Sequence, residues 1–485
     1  MQQNLGLLEK LLKENKITKA TFENLSRRIR NEVFFGSDAN SGVACAAKMN
    51  MIIAGDGHTN IQCEDSLSSA KNWTIATPDC DLILTNPPFG TSESDSLSVE
   101  EISNFPVRSL KGQHLFLQKM VLCTKRGGEI CTVIDEGVLN TDTAAELRNW
   151  LLRKCKVKAV IRLPEETFKP NKINVRSSLL YLERWEQDDD DLEANYQIHF
   201  CDLHSLGYEG SGDIIRSFDF PRLLNEVESK WFKPSTSGMR KGDYWQVFQE
   251  SVQVVIKDLS NRLDLKYWRP DVRARIDKLA SDGAKPIKEL NKIVTERGDS
   301  PAAESYVDEQ DGYALVVKAG SNISKFGKLI EAGDYIEKNL YDEFVEKAKE
   351  GKGNGNVVMK GDVLLSSTGD GTMGKCCVYK SDKPAVADGH VTIIRVNPEE
   401  INPEYLCDYL RCGFGAVQID RFYTGSTGMI ELTPKDVARI VVDPLSGIPQ
   451  QRRASAKLRK QELTFVQATS DAEKRLEIAR SSFRA

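Results

Sequence analysis

The four consecutive residues Asn86, Pro87, Pro88 and Phe89 have the types and spacing that amino-group chemistry needs, and they follow the apolar run DLILT (81–85). Proline has no N–H to donate, so two prolines in succession make a stiff turn whose free polar groups are carbonyl acceptors. The Asn86 side chain adds an acceptor, and Phe89 adds a flat apolar face. The set matches a planar ring with an exocyclic amino group, whose hydrogens the carbonyls accept while the ring stacks on Phe89. A rigid turn after a strand is the alternative interpretation.

Apolar strands alternate with helices through the first half of the chain, and this pattern decides where the turn lies. The strand candidates are EVFFG (32–36), IQC (61–63), DLILT (81–85), EICTVI (129–134), VKAVIRL (157–163) and SSLLYLERW (177–185), with helix candidates at 41–54, 113–125 and 143–153. The alternation predicts an α/β fold with a mostly parallel, doubly wound sheet, in which EVFFG and DLILT are buried strands. Ligands of such sheets bind outside the carboxyl ends of the strands, where Asn86 would lie.

The second half has a different sequence pattern, in which short strand candidates are separated by turns that contain Gly, Asp and Asn. These candidates are YALVVKA, GDVLLSS, KCCVYK and VTIIRV, and they predict an α+β domain. STGDGTMGK (367–375) contains the spacing of a nucleotide-binding loop, but a strand candidate follows it where that loop requires a helix, so we interpret it as a turn. Residues 195–255 are mixed and are interpreted as a domain edge. The last residues have no glycine after 447 and predict one long helix.

Composition excludes some classes of function. No apolar stretch approaches the ~20 residues that cross a bilayer, the N-terminus has no secretory pattern, and the eleven cysteines form no metal-binding spacing. We therefore expect a reducing, cytoplasmic setting, no membrane and no metal site. The net charge of −5 argues against DNA binding by the whole surface but not by a local basic face. Candidate phosphate contacts, with solvated surface charge as the alternative, are Lys375, Arg421, Lys435 and Arg439.

With these motifs in place, the chain resembles the modification subunit of Type I restriction systems, a family of DNA adenine methyltransferases. The resemblance covers roughly 20–245 and rests on the stretches FFGSDAN, CEDSL, NPPF, GQHLFLQKMVLCTKRGGEICTVIDEGVL and VIRLPEETFKPNKINVRSSLLYLER. It implies a class I methyltransferase-like sheet, S-adenosylmethionine as cofactor, and a flipped adenine at Asn86–Phe89. It further implies that Asp38 holds the cofactor ribose and that Asp65 lies near the cofactor adenine. Capping of the following helices is the alternative role for both acids.

One departure from the family matters. The family begins its catalytic sheet with a strand that ends in a glycine-rich loop, and residues 1–31 resemble the helical stretch after that loop. The glycine-rich stretches 55–60, 351–356 and 367–375 do not replace it. The first strand is therefore expected to be missing, which would leave two unpaired strand edges and half of a cofactor pocket. We expect a truncated or split methyltransferase.

The second half resembles the target-recognition domain of Type I specificity subunits. RLDLKYWRPD (262–271), GDVLLSSTGDGTMGKCCVY and the stretch from AVADGH to VVDPL carry this resemblance. It implies an α+β target-recognition domain and a terminal spacer helix that packs against a partner helix. The predicted domains are 1–250, an S-adenosylmethionine-dependent methyltransferase domain incomplete at its start; 251–450, the DNA target-recognition domain; and 451–485, the C-terminal spacer helix.

Three functions follow as hypotheses. The first is a site-specific DNA adenine N6-methyltransferase of a restriction-modification system. Its expected partners are double-stranded DNA and a restriction or modification subunit. A homodimer through the C-terminal helix is an open alternative. The second is a catalytically impaired, sequence-specific DNA-binding remnant, or a fragment of a split enzyme that needs a partner for cofactor binding. The third is methylation of glutamine amides in proteins, against which the second half argues, because such a reaction has no use for a DNA-reading module.

Overall fold

The computed structural model of the chain describes most of its residues. The described residues are 2–55, 60–68, 80–90, 92, 97–187, 196–231, 242–251, 259, 261–290, 294–349, 356–426, 430–445 and 447–484. By internal contacts they fall into two compact units. The first unit comprises 1–132, 153–156 and 182–190, and the second comprises 133–152, 157–181 and 191–485. The domain boundaries at 250 and 450 stay a prediction.

Helices and strands alternate through the first half, as predicted for an α/β fold. The helices are α1 (Gln2–Lys13), α2 (Lys19–Asn31), α3 (Ser41–Ile53), α4 (Val99–Ser103), α5 (Gly112–Cys123), α6 (Glu136–Asn140), α7 (Ala145–Lys154) and α8 (Phe220–Trp231). The strands are β1 (Phe35–Asp38), β2 (Asn60–Cys63), β3 (Cys80–Thr85), β4 (Thr124–Asp135), β5 (Cys155–Arg162), β6 (Ser177–Arg184), β7 (Gln197–Leu203) and β8 (Trp245–Ser251).

A six-stranded mixed sheet has the order β3-β4-β6-β5-β7-β8. Strand β3 runs parallel to β4, with Thr85 paired to Thr132, and β5 runs parallel to β7, whereas β8 is antiparallel to β7. Parallel pairing places the carboxyl ends of β3 and β4 at one edge of the sheet, so the turn that begins at Asn86 leaves from that edge.

Strands β1 and β2 form a separate two-stranded parallel sheet, with Asp38 paired to Cys63. Within the described part of the chain, β1 pairs only with β2, and β3 pairs only with β4. The expectation that EVFFG and DLILT are buried strands is wrong: the side chains of Phe35, Leu82 and Leu84 are 43%, 53% and 70% exposed. Each of these strands is the edge of its sheet, so no further strand covers its side.

The second half contains short strands and helices, as the α+β prediction required. The helices are α9 (Leu265–Trp268), α10 (Pro270–Ser281), α11 (Lys338–Lys349), α12 (Pro403–Cys412), α13 (Phe414–Phe422), α14 (Pro434–Ala438) and α15 (Ile448–Arg484). The strands are β9 (Lys285–Pro286), β10 (Val294–Arg297), β11 (Ala314–Val317), β12 (Tyr335–Ile336), β13 (Val357–Val358), β14 (Val363–Ser366), β15 (Cys376–Val378), β16 (Ala385–Ala387), β17 (Val391–Arg395) and β18 (Val441–Val442).

Two four-stranded sheets share a core in this half. Their orders are β10-β17-β14-β15 and β12-β11-β16-β13, and one apolar cluster joins side chains of β11 and β16 to side chains of β14, β15 and β17. Cys377 belongs to this cluster, while its neighbour Cys376 packs among helices α12 and α13 on the opposite face. The two adjacent cysteines therefore lie on opposite faces of β15. The segment 367–375 joins the antiparallel strands β14 and β15, as the interpretation of a turn required.

The terminal helix α15 is one continuous helix of 37 residues, which confirms the prediction of a long C-terminal helix. Its start packs on α12: Arg459 contacts Asp408, and Glu462 binds Arg411. From residue 471 to residue 483 every side chain is exposed. Among the described residues, no helix has both the length and the apolar content that crossing a bilayer demands.

Candidate functional site

The predicted catalytic turn, Asn86–Phe89, leaves the carboxyl end of β3. Asn86 and Pro88 are exposed, Pro87 is buried and Phe89 is half-buried. The buried ring of Pro87 anchors the turn, while the Asn86 side chain remains accessible from outside. Gly90 follows in the left-handed region at φ +68°, which favours glycine and lets the chain turn away directly after Phe89.

Asp38 ends strand β1, and its carboxylate accepts a hydrogen bond from the Asn40 amide at 2.7 Å. The residue that caps α3 is Asn40, whose side chain accepts from the amides of Gly42 and Val43. The alternative role considered for Asp38, capping of the following helix, is therefore filled by Asn40. The Asp38 carboxylate is half-buried at the carboxyl edge of the small sheet.

Asp65 lies two residues beyond the carboxyl end of β2. One carboxylate oxygen accepts from the Leu67 amide at 2.8 Å, and the Asp65 carbonyl accepts from the Ser68 hydroxyl at 2.9 Å. A hydrogen bond of 2.6 Å between the hydroxyls of Ser37 and Ser66 ties this loop to β1. The loop therefore holds the Asp65 carboxylate at the same edge as Asp38.

A cavity of about 380 Å³ lies between the exposed edges of β1 and β3, within the size range of small-ligand sites. The side chains that line it come from β1, from the loop after β2, from β3 and from α5, and they include Phe35, Asp65, Leu82, Thr85 and Lys119. The next residue after Thr85 is Asn86, so the catalytic turn begins at the cavity wall. Asp65 lines the cavity and Asp38 does not.

Lys119 is a cavity residue that the sequence analysis missed. It lies on α5, whose neighbouring positions are almost all buried, and its own side chain is 8% exposed. Burial lowers the pKa of Lys119 to about 7, partly opposed by the charges of Cys123 and Asp65. The signal that could have found it is a lysine inside the apolar helical run HLFLQKMVLC.

A second charged cleft, of about 270 Å³, lies in the second unit and includes Glu136, Lys266 and Tyr423 in its lining. The Lys266 ammonium donates to the Tyr423 carbonyl at 3.3 Å and lies 3.1 Å from the centre of the Tyr423 ring. Burial lowers the pKa of Lys266 to about 8 and raises the pKa of Glu136. These residues are far apart in the sequence, so no local sequence pattern predicts that they form one ionic cluster.

Parts of the chain are similar to known proteins. Residues 9–224 match the family model described as N-6 DNA methylase. Over 104 residues the chain is 28% identical to the type I restriction enzyme EcoEI methylase subunit of Escherichia coli, which is 21% of this chain and 20% of that protein.

Two solved structures are also similar. The type I restriction enzyme EcoKI M protein is 18% identical, with 53% of this chain and 57% of that chain covered and a TM-score of 0.40. A type I restriction-modification methyltransferase subunit from Streptococcus thermophilus is 20% identical, with 47% of each chain covered and a TM-score of 0.35. The chain thus spans a fifth of the curated relative and about half of these solved chains. The match to the N-6 DNA methylase family model covers residues 9–224, which is less than half of the chain.

Proposed function

We propose that this chain is a site-specific DNA adenine N6-methyltransferase of a restriction-modification system, with S-adenosylmethionine as methyl donor. The observation that carries the proposal is the position of the Asn86–Phe89 turn. It leaves the carboxyl end of β3 at the wall of the cavity that Asp65 lines, in a segment that matches the N-6 DNA methylase family.

The residues of the turn can hold adenine by its amino group. The Asn86 side-chain oxygen and the Pro87 carbonyl accept the two N6 hydrogens, and Phe89 stacks on the ring. An adenine inside a duplex cannot reach them, so the base leaves the helix first, which costs a few kcal/mol of unstacking. The cofactor, when bound, would supply the methyl group to the N6 lone pair and would leave as the neutral thioether, and the surplus N6 proton would pass to solvent after the transfer. Alignment of the reacting atoms and exclusion of water from the site account for the rate enhancement over the uncatalysed reaction.

The residues around the cavity fit the nucleoside part of S-adenosylmethionine. The Asp65 carboxylate offers an acceptor for an amino or hydroxyl group, and Phe35 and Leu82 offer apolar walls. Asp38, at the end of β1, is the candidate acceptor for ribose hydroxyls. When bound, the cofactor supplies an electrophilic methyl group on a sulfonium.

A second candidate, a split enzyme that needs a further segment to bind its cofactor, is favoured by the edges of β1 and β3. The exposed side chains of Phe35, Leu82 and Leu84 line the gap between these two strands. A parallel strand in that gap would pair with both edges and complete the cavity wall. We therefore propose that a segment outside the described residues, on the same or another polypeptide, completes the cofactor site. Micromolar binding of S-adenosylmethionine by the purified chain in calorimetry would contradict this candidate.

The second half would supply site recognition. A pocket for adenine selects one base, whereas reading several base pairs needs side chains that reach base edges. Residues 251–450 are proposed for that role, and the exposed end of α15 for pairing with a helix of a restriction or modification subunit or of a second copy. The setting proposed for this function is the cytoplasm.

The test is expression in a bacterial host that lacks adenine methylation. The chain is expressed alone and, separately, together with the coding sequence that surrounds it in its own genome, and modified bases are located by single-molecule sequencing. We expect N6-methyladenine at one recurring sequence in the second strain. Its absence from both strains would contradict the proposed function, and its presence with the chain alone would contradict the split-enzyme candidate.

A further inference from the structure

Two adjoining clefts in the second unit form one groove with an excess of lysines. The clefts have volumes of about 330 and 350 Å³, and both are lined by Arg176 and Asp370, which makes their surfaces continuous. We call this surface the lysine groove, because its lining includes Lys169, Lys172, Lys325 and Lys375.

The arginines of the lysine groove are neutralised. Arg176 binds the carboxylates of Glu165 and Asp370 at 3.3 and 3.2 Å. Arg411, which lines the second cleft, binds Asp408 and Glu462 at 2.9 and 2.6 Å. The arginine charges are therefore already matched within the protein.

The four lysines are different, because none of them has an ion pair with another residue in the described part of the chain. Of the three acids in the lining, Glu165 and Asp370 are held by Arg176, and Asp420 remains. Apart from the two matched arginines, the lining has four lysines against Asp420 and the second carboxylate on Arg176, although the whole chain has a net charge of −5. The groove is thus a local positive surface on an acidic protein.

Of the four lysines, Lys172 and Lys325 are exposed, and Lys169 and Lys375 are half-buried. Lys169 begins a short 3-10 turn, and the exposed Lys172 ends it in the left-handed region at φ +61°. Lys375 follows the turn between β14 and β15, where the exposed Gly371 lies at φ +81° with open space where a side chain would be.

We propose that the lysine groove binds the phosphate backbone of double-stranded DNA, an inference that rests on the proposed function. Lys169 and Lys172 belong to the segment that matches the N-6 DNA methylase family, whereas Lys325 and Lys375 belong to the proposed recognition half. One duplex in this groove is held by both, which keeps the recognised sequence in register with the base that is methylated. Phosphate contacts of this kind position a duplex without reading its sequence.

The structure also sorts the other phosphate candidates from the sequence. Arg421 is buried and lies over the Tyr267 ring at 4.6 Å, so its guanidinium interacts within the protein and not with a phosphate at the surface. Arg439 donates to the Tyr267 hydroxyl at 2.9 Å and lies over the Phe422 ring at 4.8 Å. Lys375 is the candidate that lines the groove.

The experiment measures binding of a 30-base-pair DNA duplex to the full chain by fluorescence anisotropy over a series of KCl concentrations. The groove variant carries Lys169→Gln, Lys172→Gln, Lys325→Gln and Lys375→Gln. The control variant carries the same number of changes at exposed lysines outside the groove: Lys278→Gln, Lys288→Gln, Lys347→Gln and Lys457→Gln. An RNA duplex of the same sequence is titrated in parallel, and thermal melting confirms that both variants fold.

Each phosphate contact contributes about 0.9 to the slope of log affinity against log salt. We expect the slope of the groove variant to fall by about 3 to 4, with at least a tenfold loss of affinity at 0.1 M KCl, while the control changes by less than 1. An unchanged slope, an equal loss in the control, no DNA binding by the wild-type chain at low salt, or tighter binding of the RNA duplex overturns the proposal. The slope does not depend on methyl transfer, so a chain that passes this test without methylating DNA contradicts only the proposed function.

Discussion

Asn140 and Gly425 exchange two hydrogen bonds although they are 285 residues apart in the sequence. The Gly425 backbone amide donates to the Asn140 side-chain oxygen at 2.8 Å, and the Asn140 side-chain nitrogen donates to the Gly425 backbone carbonyl at 3.4 Å. Beside them, the Ser426 hydroxyl donates to the Asp135 carboxylate, and Arg176 donates to the Tyr423 hydroxyl at 2.9 Å. The end of β4, helix α6 and the segment 423–426 therefore form one joint within the second unit.

The joint predicts a loss of stability in the variant Asn140→Leu. Leucine has a similar volume, but it removes both hydrogen bonds and leaves the amide and carbonyl of Gly425 without these partners. The expected loss is about 1–3 kcal/mol in the free energy of unfolding, measured by urea denaturation. The control is Asn339→Leu at an exposed helical position, with an expected change within about 0.5 kcal/mol. Equal effects of the two variants would show that the joint contributes nothing.

A second prediction concerns the buried pair of Arg262 and Asp264. Arg262 donates to both carboxylate oxygens of Asp264, at 2.7 and 2.9 Å, and to the Phe422 carbonyl at 2.8 Å. Arg262→Met leaves a buried, unpaired carboxylate and is expected to destabilise the chain by about 3–5 kcal/mol. The double variant Arg262→Met, Asp264→Leu removes that carboxylate and should lose less than the single variant. A larger loss in the double variant would contradict this account of the pair.

The same pair predicts how stability depends on pH in acid. Burial alone would raise the pKa of Asp264, but the Arg262 guanidinium outweighs it, so the pKa lies below its usual range. A lowered folded-state pKa gives stability that is present above the unfolded value of about 3.9 and is lost as the pH falls below it. In thermal melts from pH 5 to pH 2, the wild type should therefore lose more stability than the double variant. Parallel curves for the two proteins would rule this contribution out.

Lys119 predicts a second window, in alkali, in which stability also rises with pH. Its pKa is about 7 in the folded chain and 10.5 in the unfolded chain, so the unfolded state binds more protons between these values. Stability from this group therefore rises with pH across that window. The difference in unfolding free energy between the wild type and Lys119→Met should shift in favour of the wild type from pH 7 to pH 10. A pH-independent difference would mean that Lys119 keeps an ordinary pKa.

The edge of β3 predicts fast amide exchange. In the purified chain, hydrogen–deuterium exchange of a peptide covering 80–85 should be faster than that of a peptide covering 129–134, because β4 lies inside the sheet and β3 has one side uncovered. Mass spectrometry resolves the two peptides. Equal protection of both would show that the outer edge of β3 is already paired.

The local elements could largely be predicted from the sequence. The strand before Asn86 and helices α3 and α5 follow from the apolar runs and their spacing, and the long helix α15 follows from the absence of glycine after residue 447. The wrong prediction, that EVFFG and DLILT are buried strands, has a physical cause: an apolar run shows what a strand can bury and not whether a neighbour is present. Leu84 shows this most clearly, because its apolar side chain is 70% exposed.

Contacts between distant segments could not be predicted. Residues 195–255 were interpreted as a domain edge, yet they contribute β7, α8 and β8, and β7 pairs with β8 along its whole length. Trp231 of α8 stacks against Trp245 of β8 and His199 of β7. Lys119, the joint at Asn140 and the lysine groove likewise depend on residues that only the fold brings together.

The central claim is that the Asn86–Phe89 turn holds the adenine that becomes methylated. The most direct measurement replaces Asn86 with alanine at the native locus of the organism that encodes the chain, with Asn339→Ala as the control, and quantifies N6-methyladenine at the modified sequence. Every polypeptide that completes the site is then present. We predict that methylation of that sequence falls by at least about a hundredfold in Asn86→Ala and is unchanged in Asn339→Ala. Undiminished methylation in Asn86→Ala would contradict the account.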